Sequence, residues 1–456
     1  MSYLLYNSTM NIIDEFDTIA AISTPLGTGG VGIIRISGDK SFDVALRVTN
    51  RKDLPAGKIC HGWVVDGEKK IDEVLILPFK APNSYTGEDI IEIQCHGGLQ
   101  VVKNILDLII RHGARPAQRG EFTKRAFLNK RIDLSQAEAI DDLIHSKTSE
   151  FAIQSAKNLS GVLAEKIREI KKDIFEITSK IVAGIDFPED VAEPDYAYLT
   201  DNFEKSIEEI DKIMSDAKTS DILRQGIKVA IAGRPNVGKS SLFNALLNLN
   251  RAIVTEIAGT TRDTISESID LGLPVTLIDT AGIREDDNID KVEGIGIEYS
   301  KQSVQNSDLI LFIYDVSVGM TPDDKAIYDI IKDKKHIVIA NKIDIADKSD
   351  FNAENVLKIS ALTKEGLETL KEQIKNTVLD FSPDDLEFVT NQRQQTCLIR
   401  CKQALERALE GAKSNQLQDM IYIDLKSALL SLDEITGEVI TDEILDNIFD
   451  HFCIGK

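Results

Sequence analysis

Residues 233–240 read Gly-Arg-Pro-Asn-Val-Gly-Lys-Ser, between the apolar run IKVAIA (227–232) and the helix-forming segment SLFNALLN (241–248). Few segments constrain a chain more. The spacing GxxxxGK[ST], placed between a strand and a helix, curls backbone N–H groups around phosphate oxygens at a helix N-terminus. Such a loop requires a strand that feeds a helix packing back on the same sheet. Further apolar runs follow at PVTLIDT (274–280), LILFIYD (309–315) and HIVIANK (336–342), with helical segments between them. That alternation predicts βαβ units and a parallel sheet over residues 226–380.

Three more motifs follow in order, each at the end of an apolar run. Asp279-Thr-Ala-Gly282 closes the first. Its Asp is expected in an Mg²⁺ shell, and its Gly to sense a γ-phosphate through the backbone N–H. Asn341-Lys342-Ile-Asp344 closes the third. Asp344 can accept from both N1–H and N2–H₂ of guanine, an edge that adenine lacks. Ser360-Ala361-Leu362 is the expected backbone support for the base. Lys239 is expected at the β- and γ-phosphates and Ser240 on Mg²⁺. Four motifs at the carboxyl ends of parallel strands, where ligands of such sheets sit, read as a GTP site. The expected contacts are Asn236, Val237, Gly238, Lys239, Ser240 and Ser241; Thr255, Glu256, Ile257, Ala258, Gly259, Thr260 and Thr261; Asp279, Thr280, Ala281 and Gly282; Asn341, Lys342 and Asp344; and Ser360, Ala361 and Leu362.

Many GTPases place Gln directly after the DTAG run to orient the attacking water. This chain has Ile283 there, and an aliphatic side chain cannot do that work. Asn236, inside the phosphate loop, offers a carboxamide oxygen to a monovalent cation, and residues 255–263 offer carbonyls and hydroxyls to the same ion. Thr261 is the expected second Mg²⁺ ligand, with Thr260 a neighbouring contact. A cation beside the phosphates stabilises transition-state charge as an arginine finger does. A hydrogen bond that braces the loop is the other role open to Asn236.

The flanks have different textures. Residues 1–16 read as a short leader. Strand-like runs at 18–23, 31–37, 73–79 and 89–98 precede a helix over 99–112, which predicts an α+β domain over 17–133. Residues 134–225 and 381–456 carry helical apolar spacing, clearest at 391–412 and 420–433. The first of these helices is expected to open with Ser135 as N-cap and Glu138 three residues on. The fold class is therefore multidomain: an α+β N-terminal domain, a discontinuous all-α domain made of 134–225 and 381–456, and an inserted α/β P-loop GTPase (Ras-like) domain at 226–380.

Composition limits the function classes. The 456 residues are 42% hydrophobic and 28% charged, which is ordinary for a globular protein. No run approaches the length of a membrane span, so none is expected. The 75 acidic and 53 basic residues leave a net charge of −22. Phosphate binding is driven by Lys and Arg, so non-specific coating of nucleic acid is excluded and any such contact needs a local basic patch or a second protein. The five cysteines, Cys60, Cys95, Cys397, Cys401 and Cys453, are odd in number and scattered, which points to a reducing, cytoplasmic setting. The N-terminus lacks the basic region of a secretory signal. Cys397 with Cys401, and Cys95 with His96, are pairs without further ligands and read as core packing and a strand-closing turn.

GRPNVGKSSL, AGTTRD, DTAGIRE and NKID are joined by GTGGVGIIRISG (27–38), PNSYTGEDIIEIQCHGG (82–98), RGEFTKRAFLNKRIDLSQAEAI (119–140) and the terminal CIGK. On these motifs the chain resembles the bacterial tRNA-modification GTPase family MnmE, also called TrmE, over about residues 17–456. The resemblance implies a homodimer formed through the N-terminal domain. It implies K⁺ at Asn236, Thr255, Ile257 and Thr260, and Mg²⁺ at Ser240 and Thr261. The general base acting through water maps to Glu293 in VEGIGIE. The segment before Glu293 is slightly longer than the family pattern, which leaves Glu285 as the alternative. A folate, 5,10-methylene- or 5-formyl-tetrahydrofolate, maps to Arg35, Glu92, Arg131 and Lys456. Arg131 stands where Lys is also seen. For Cys453 a positioning role is expected, with a thiol role open.

The implied activity is K⁺-dependent GTP hydrolysis coupled to modification of C5 of the wobble uridine in certain tRNAs, an aminomethyl or carboxymethylaminomethyl addition. The implied partner is the FAD protein MnmG (GidA), in a heterotetramer or larger complex that binds tRNA. A regulatory ribosome-assembly GTPase is the alternative reading. It shares the Asn-bearing phosphate loop, but a basic RNA-binding module is expected after its GTPase domain, where this chain continues as acidic helices. Family chains usually start near the segment matching residues 17–19, so Met10 is an alternative start.

Overall fold

The computed structural model describes residues 17–249, 266–279, 306–345, 356–379 and 386–456. They form two compact units. One runs to Asp141 and takes in Asp433–Lys456; the other is Asp142–Leu432.

The first unit is built on β1 (Ile19–Ile22), β2 (Val31–Ser37), α1 (Ser41–Val48), β3 (Cys60–Asp66), β4 (Lys69–Phe79), β5 (Ile90–His96), α2 (Leu99–Arg111), β6 (Arg115–Pro116) and α3 (Glu121–Leu128). The sheet order is β3-β4-β5-β2-β1-β6, antiparallel except for β1 with β6. Side chains alternate across a strand. In β2, Ile34 and Ile36 face a core shared with Ile91, Ile93, Ile105 and Leu108. Arg35 therefore points to the other face, directly across from Glu92 of β5. Ile19, Ala21, Ala117 and Phe122 pack together, with Tyr85 against them.

Two expectations change here. The run at 73–79 is the end of a longer strand that pairs with β3, which the sequence reading missed because its Gly62 and polar residues break the apolar pattern. The helix expected to start at Ser135 is α4 (Leu134–His145), and Ser135 lies inside it. Asp133 does the capping: its Oδ1 accepts from Gln136 N at 3.0 Å, and Gln136 Oε1 accepts from Asp133 N at 3.0 Å. An Asp followed three residues on by Gln satisfies two orphan donors as well as a Ser–Glu pair does.

The second unit begins with α5 (Ser149–Leu159), α6 (Val162–Asp186), α7 (Tyr196–Ser215) and α8 (Ala217–Gln225). Ile167, Ile170, Ile174, Ile177 and Ile181 form one buried stripe along α6, at the spacing of a helix face. Next come β7 (Ile227–Ala232), α9 (Lys239–Leu249), β8 (Ser266–Asp270), β9 (Pro274–Asp279), β10 (Leu309–Asp315), α10 (Pro322–Ile331), β11 (His336–Asn341), β12 (Val356–Lys358) and α11 (Leu367–Val378). The sheet order is β12-β11-β10-β7-β9-β8. Its strands are parallel except β8, an antiparallel edge on β9. Strand β10 is buried along its whole length, as expected of a parallel strand covered on both faces.

The chain closes with α12 (Gln392–Lys413), α13 (Gln418–Thr436) and α14 (Asp442–Asp450). Cys397 and Cys401 lie in the buried stripe of α12, and burial pushes the Cys401 thiol up to about 12. A protonated, buried thiol packs as a small apolar group. No described helix is long and apolar enough to cross a membrane.

Candidate functional site

The phosphate loop leaves β7 at Ala232 and enters α9 at Lys239. Asn236 adopts the left-handed region at φ 63°, and Gly238 lies at φ 103°. A Cβ at Gly238 would collide with the Asn341 carboxamide nitrogen. Only glycine permits that backbone and that approach. Lys239 Nζ donates to Gly233 O at 2.8 Å and Arg234 O at 3.0 Å, which folds the ammonium over the loop. Ser240 and Ser241 are exposed in the first turn of α9, beside the orphan N–H groups of that helix end. The cradle, cation and helix N-terminus fit a polyphosphate.

Asn341, 2% exposed at the end of β11, ties this loop to the next. Its Nδ2 donates to Val237 O at 2.8 Å, and its Oδ1 accepts from Ala361 N at 3.0 Å. Lys342, at φ 71°, donates from Nζ to Asn236 O at 2.9 Å and to Asp315 Oδ2 at 2.6 Å. Burial alone would raise the Asp315 carboxyl, but Lys342 and the Ser317 donors outweigh it and hold it below the ordinary range. Asp344 is exposed, and Leu362 is 81% exposed beside buried Ser360. The loop is also braced by Arg234 Nε, 3.1 Å from Oδ2 of fully buried Asp324. Asp315 and the Arg234–Asp324 pair escaped the sequence reading. The signal available for Asp315 was a carboxylate at the carboxyl end of a strand beside β11.

A second cluster lies in the first unit. Arg35 donates from Nε to Glu92 Oε1 at 2.9 Å, with its NH2 2.8 Å from the same oxygen. Its guanidinium lies 4.7 Å from the centre of the Tyr85 ring and 5.5 Å from that of Phe122. Arg131 lies 5.3 Å from the same Tyr85 ring. Burial and the nearby Arg35 charge lower the Lys456 ammonium, with Cys453 and Glu92 acting against them. The tail is seated by Lys456 N donating to Cys453 O at 3.3 Å and by a backbone bridge between Arg119 and Ile454. Arg35 and Arg131, far apart in sequence, thus meet at the Tyr85 ring, with Glu92 paired to Arg35 and Lys456 near enough for its charge to interact with Arg35 and Glu92. The Arg35 NH1 is buried without a hydrogen-bond partner among the described residues, which suits an acceptor supplied by a ligand. This mixed set of cations, carboxylate and ring fits an anionic ligand that carries a ring with hydrogen-bonding groups.

Residues 134–453 match the family description "MnmE helical domain", and residues 18–131 match "GTP-binding protein TrmE N-terminus". The tRNA modification GTPase MnmE of Thermoanaerobacter pseudethanolicus is 44% identical over 97% of this chain and 100% of its own length. Those of Caldicellulosiruptor saccharolyticus (44%, over 97% of this chain and 100% of its own length) and Pseudothermotoga lettingae (42%, over 96% and 100%) are similar. The chain belongs to the MnmE family. Among solved structures, Era from Aquifex aeolicus matches 39% of this chain and 66% of its own at 31% identity, with a TM-score of 0.27.

Several positions expected from the MnmE motifs lie outside the described residues: Thr255, Glu256, Ile257, Ala258, Gly259, Thr260, Thr261, Thr280, Ala281, Gly282 and Glu293. Asp279 closes β9, where its backbone pairs with Ile231. Of the positions expected to bind the nucleotide, the described ones are therefore those of the phosphate loop and of the strap through Asn341. Cys453 is exposed beside the second cluster. Cys95 is buried, with its thiol pushed up to about 11 by burial and by Asp72, and it donates to Gly32 O at 3.4 Å. His96 pairs with Asp72 at 2.7 Å rather than with the thiol.

Proposed function

We propose that this chain hydrolyses GTP as part of tRNA modification, as the names of its MnmE relatives state for them. The observation that carries this reading is the Asn341 strap, which joins the phosphate loop to the Ser360–Ala361 backbone in a chain of that family. One side chain sets the distance between phosphate and base, so a nucleotide bound across both meets a preorganised site. Lys239 would hold the β- and γ-phosphates, and Ser240, with Thr261, an Mg²⁺ that neutralises charge developing on them. Asp344 would select guanine.

The finer reading is that hydrolysis depends on K⁺ held through Asn236, Thr255, Ile257 and Thr260, with Glu293 as base through water. Asn236 supports it: the side chain is exposed, and Lys342 holds the backbone carbonyl. We further propose a three-part chain, with a folate-binding and dimerising domain at 17–133, a helical domain at 134–225 and 381–456, and a GTPase domain at 226–380. Arg35, Glu92, Arg131 and Lys456 would bind 5-formyl- or 5,10-methylene-tetrahydrofolate, which supplies the one-carbon unit. The partners would be a second copy, the flavoprotein MnmG (GidA) and tRNA, in the cytoplasm, with the modification at C5 of the wobble uridine.

The test is GTP hydrolysis by the purified chain in K⁺ and in Na⁺ buffer, with the unaltered protein and Asn236→Ala side by side. Strong K⁺ stimulation lost in the variant is expected, by about 100–1,000-fold for the loss of transition-state charge stabilisation. Equal rates in both salts would sink the cation mechanism and point to Arg262 or an external activator.

A further inference from the structure

Tyr85 lies outside the four residues assigned to the folate, the proposed one-carbon carrier, yet its ring is the element common to two of them. Arg35 and Arg131 both place their guanidinium carbons over it, at 4.7 and 5.3 Å. A cation within about 6 Å of a ring centre is attracted by the ring quadrupole, more strongly when it is desolvated. Arg35 is nearly buried, at 13% side-chain exposure, and has one edge on Glu92. Its remaining NH1 is buried without a partner among the described residues. Arg131 is exposed. Two like charges on one ring repel each other, and Tyr85 offsets that repulsion at both.

The ring itself is fixed. Its hydroxyl lies 2.9 Å from Oγ1 of fully buried Thr123. The next residue, Thr86, is also fully buried and bonds Ser37 Oγ at 2.8 Å, and Asn129 Nδ2 donates to Thr86 O at 2.8 Å. An aromatic ring pinned from behind, with a buried and an exposed guanidinium against it, is more than packing requires.

We propose that Tyr85 is a positioning residue of the carrier site. It holds Arg35 and Arg131 at the separation needed to receive one anionic, ring-bearing ligand, with the free Arg35 NH1 completing its hydrogen bond on that ligand. This inference rests on the folate reading of the cluster.

The experiment measures binding of 5-formyl-tetrahydrofolate to the full chain by equilibrium dialysis. Unaltered protein, Tyr85→Phe, Tyr85→Leu and a trifluorinated phenylalanine at the same position are compared, with thermal unfolding recorded for each. Tyr85→Phe keeps the ring face and is expected to bind within about threefold of the unaltered chain. Tyr85→Leu is expected to bind about 10-fold more weakly, from two lost cation–ring contacts. The fluorinated ring, whose shape is retained and whose quadrupole is withdrawn, is expected to fall between them. It decides the matter if the Leu variant does not fold. Equal binding by Phe and fluorinated rings overturns the proposal and leaves Tyr85 a packing residue. So does a Phe variant as weak as Leu, which assigns the role to the Thr123 bond. Failure of the unaltered chain to bind overturns the folate reading and the proposal with it, and that arm is read separately.

Discussion

At the scale of the residue, charge placement decides more than residue type. Lys342 and Asp315 show this: Lys342, held by Asp315, donates to the carbonyl of Asn236, whose side chain is the proposed cation ligand. Lys239 was legible from spacing alone because its motif is local. Asp315 was not, because its role depends on β10 lying beside β11. Lys456 gives a pH prediction at this scale. Burial and Arg35 lower its ammonium, so the unfolded chain binds more protons than the folded one. Stability contributed by this group therefore rises with pH from its lowered folded value up to the ordinary lysine value. A carboxylate ligand reverses the shift, so carrier affinity is expected to fall as pH climbs through the lowered value. Isotope-labelled lysine followed by NMR would show one resonance titrating early and moving upward on adding 5-formyl-tetrahydrofolate. A Lys456 resonance indifferent to the ligand would argue against the contact.

At the scale of the element, the phosphate loop is a strand–turn–helix whose geometry is sealed from outside. Gly238 leaves no space for a Cβ because the Asn341 carboxamide occupies it, and its positive φ adds strain for any other residue. Gly238→Ala is expected to cost about 1–3 kcal/mol in strain and to break the Asn341–Val237 bond, weakening GTP binding by at least about 10-fold. Titration with a fluorescent GTP analogue measures this, and an unchanged dissociation constant would show that the strap yields. Element types were largely readable because period and turn residues are local signals. The strand β3 and the Asp133 cap were misread for the same reason: an interrupted apolar pattern and a neighbouring Ser gave competing local signals.

At the scale of the whole molecule, the two proposed ligand sites are carried by different units. The proposed nucleotide residues that the structure describes belong to Asp142–Leu432, and the proposed folate cluster to the unit that includes Asp433–Lys456. Gly455, at φ 94°, has no room for a Cβ beside Ile22 O, so the terminal residues are laid closely against the end of β1. Gly455→Ala is expected to lower carrier affinity by about 10-fold or more, through about 1–3 kcal/mol of backbone strain at the seat of Lys456. GTP affinity should change little, and Gly238→Ala should show the converse. Parallel losses of both ligands in either variant would contradict separate sites. By itself the sequence determined the parallel α/β core, the phosphate loop and the order of the guanine motifs, because each is written in contiguous residues whose spacing has one mechanical reading. Only the tertiary structure decided that Asn341 straps two loops together, that Asp315 anchors Lys342, and that Arg35 and Arg131 meet at the Tyr85 ring with Glu92 paired to Arg35. Those contacts join points far apart along the chain, and their distances depend on sheet register and tail placement rather than on local spacing.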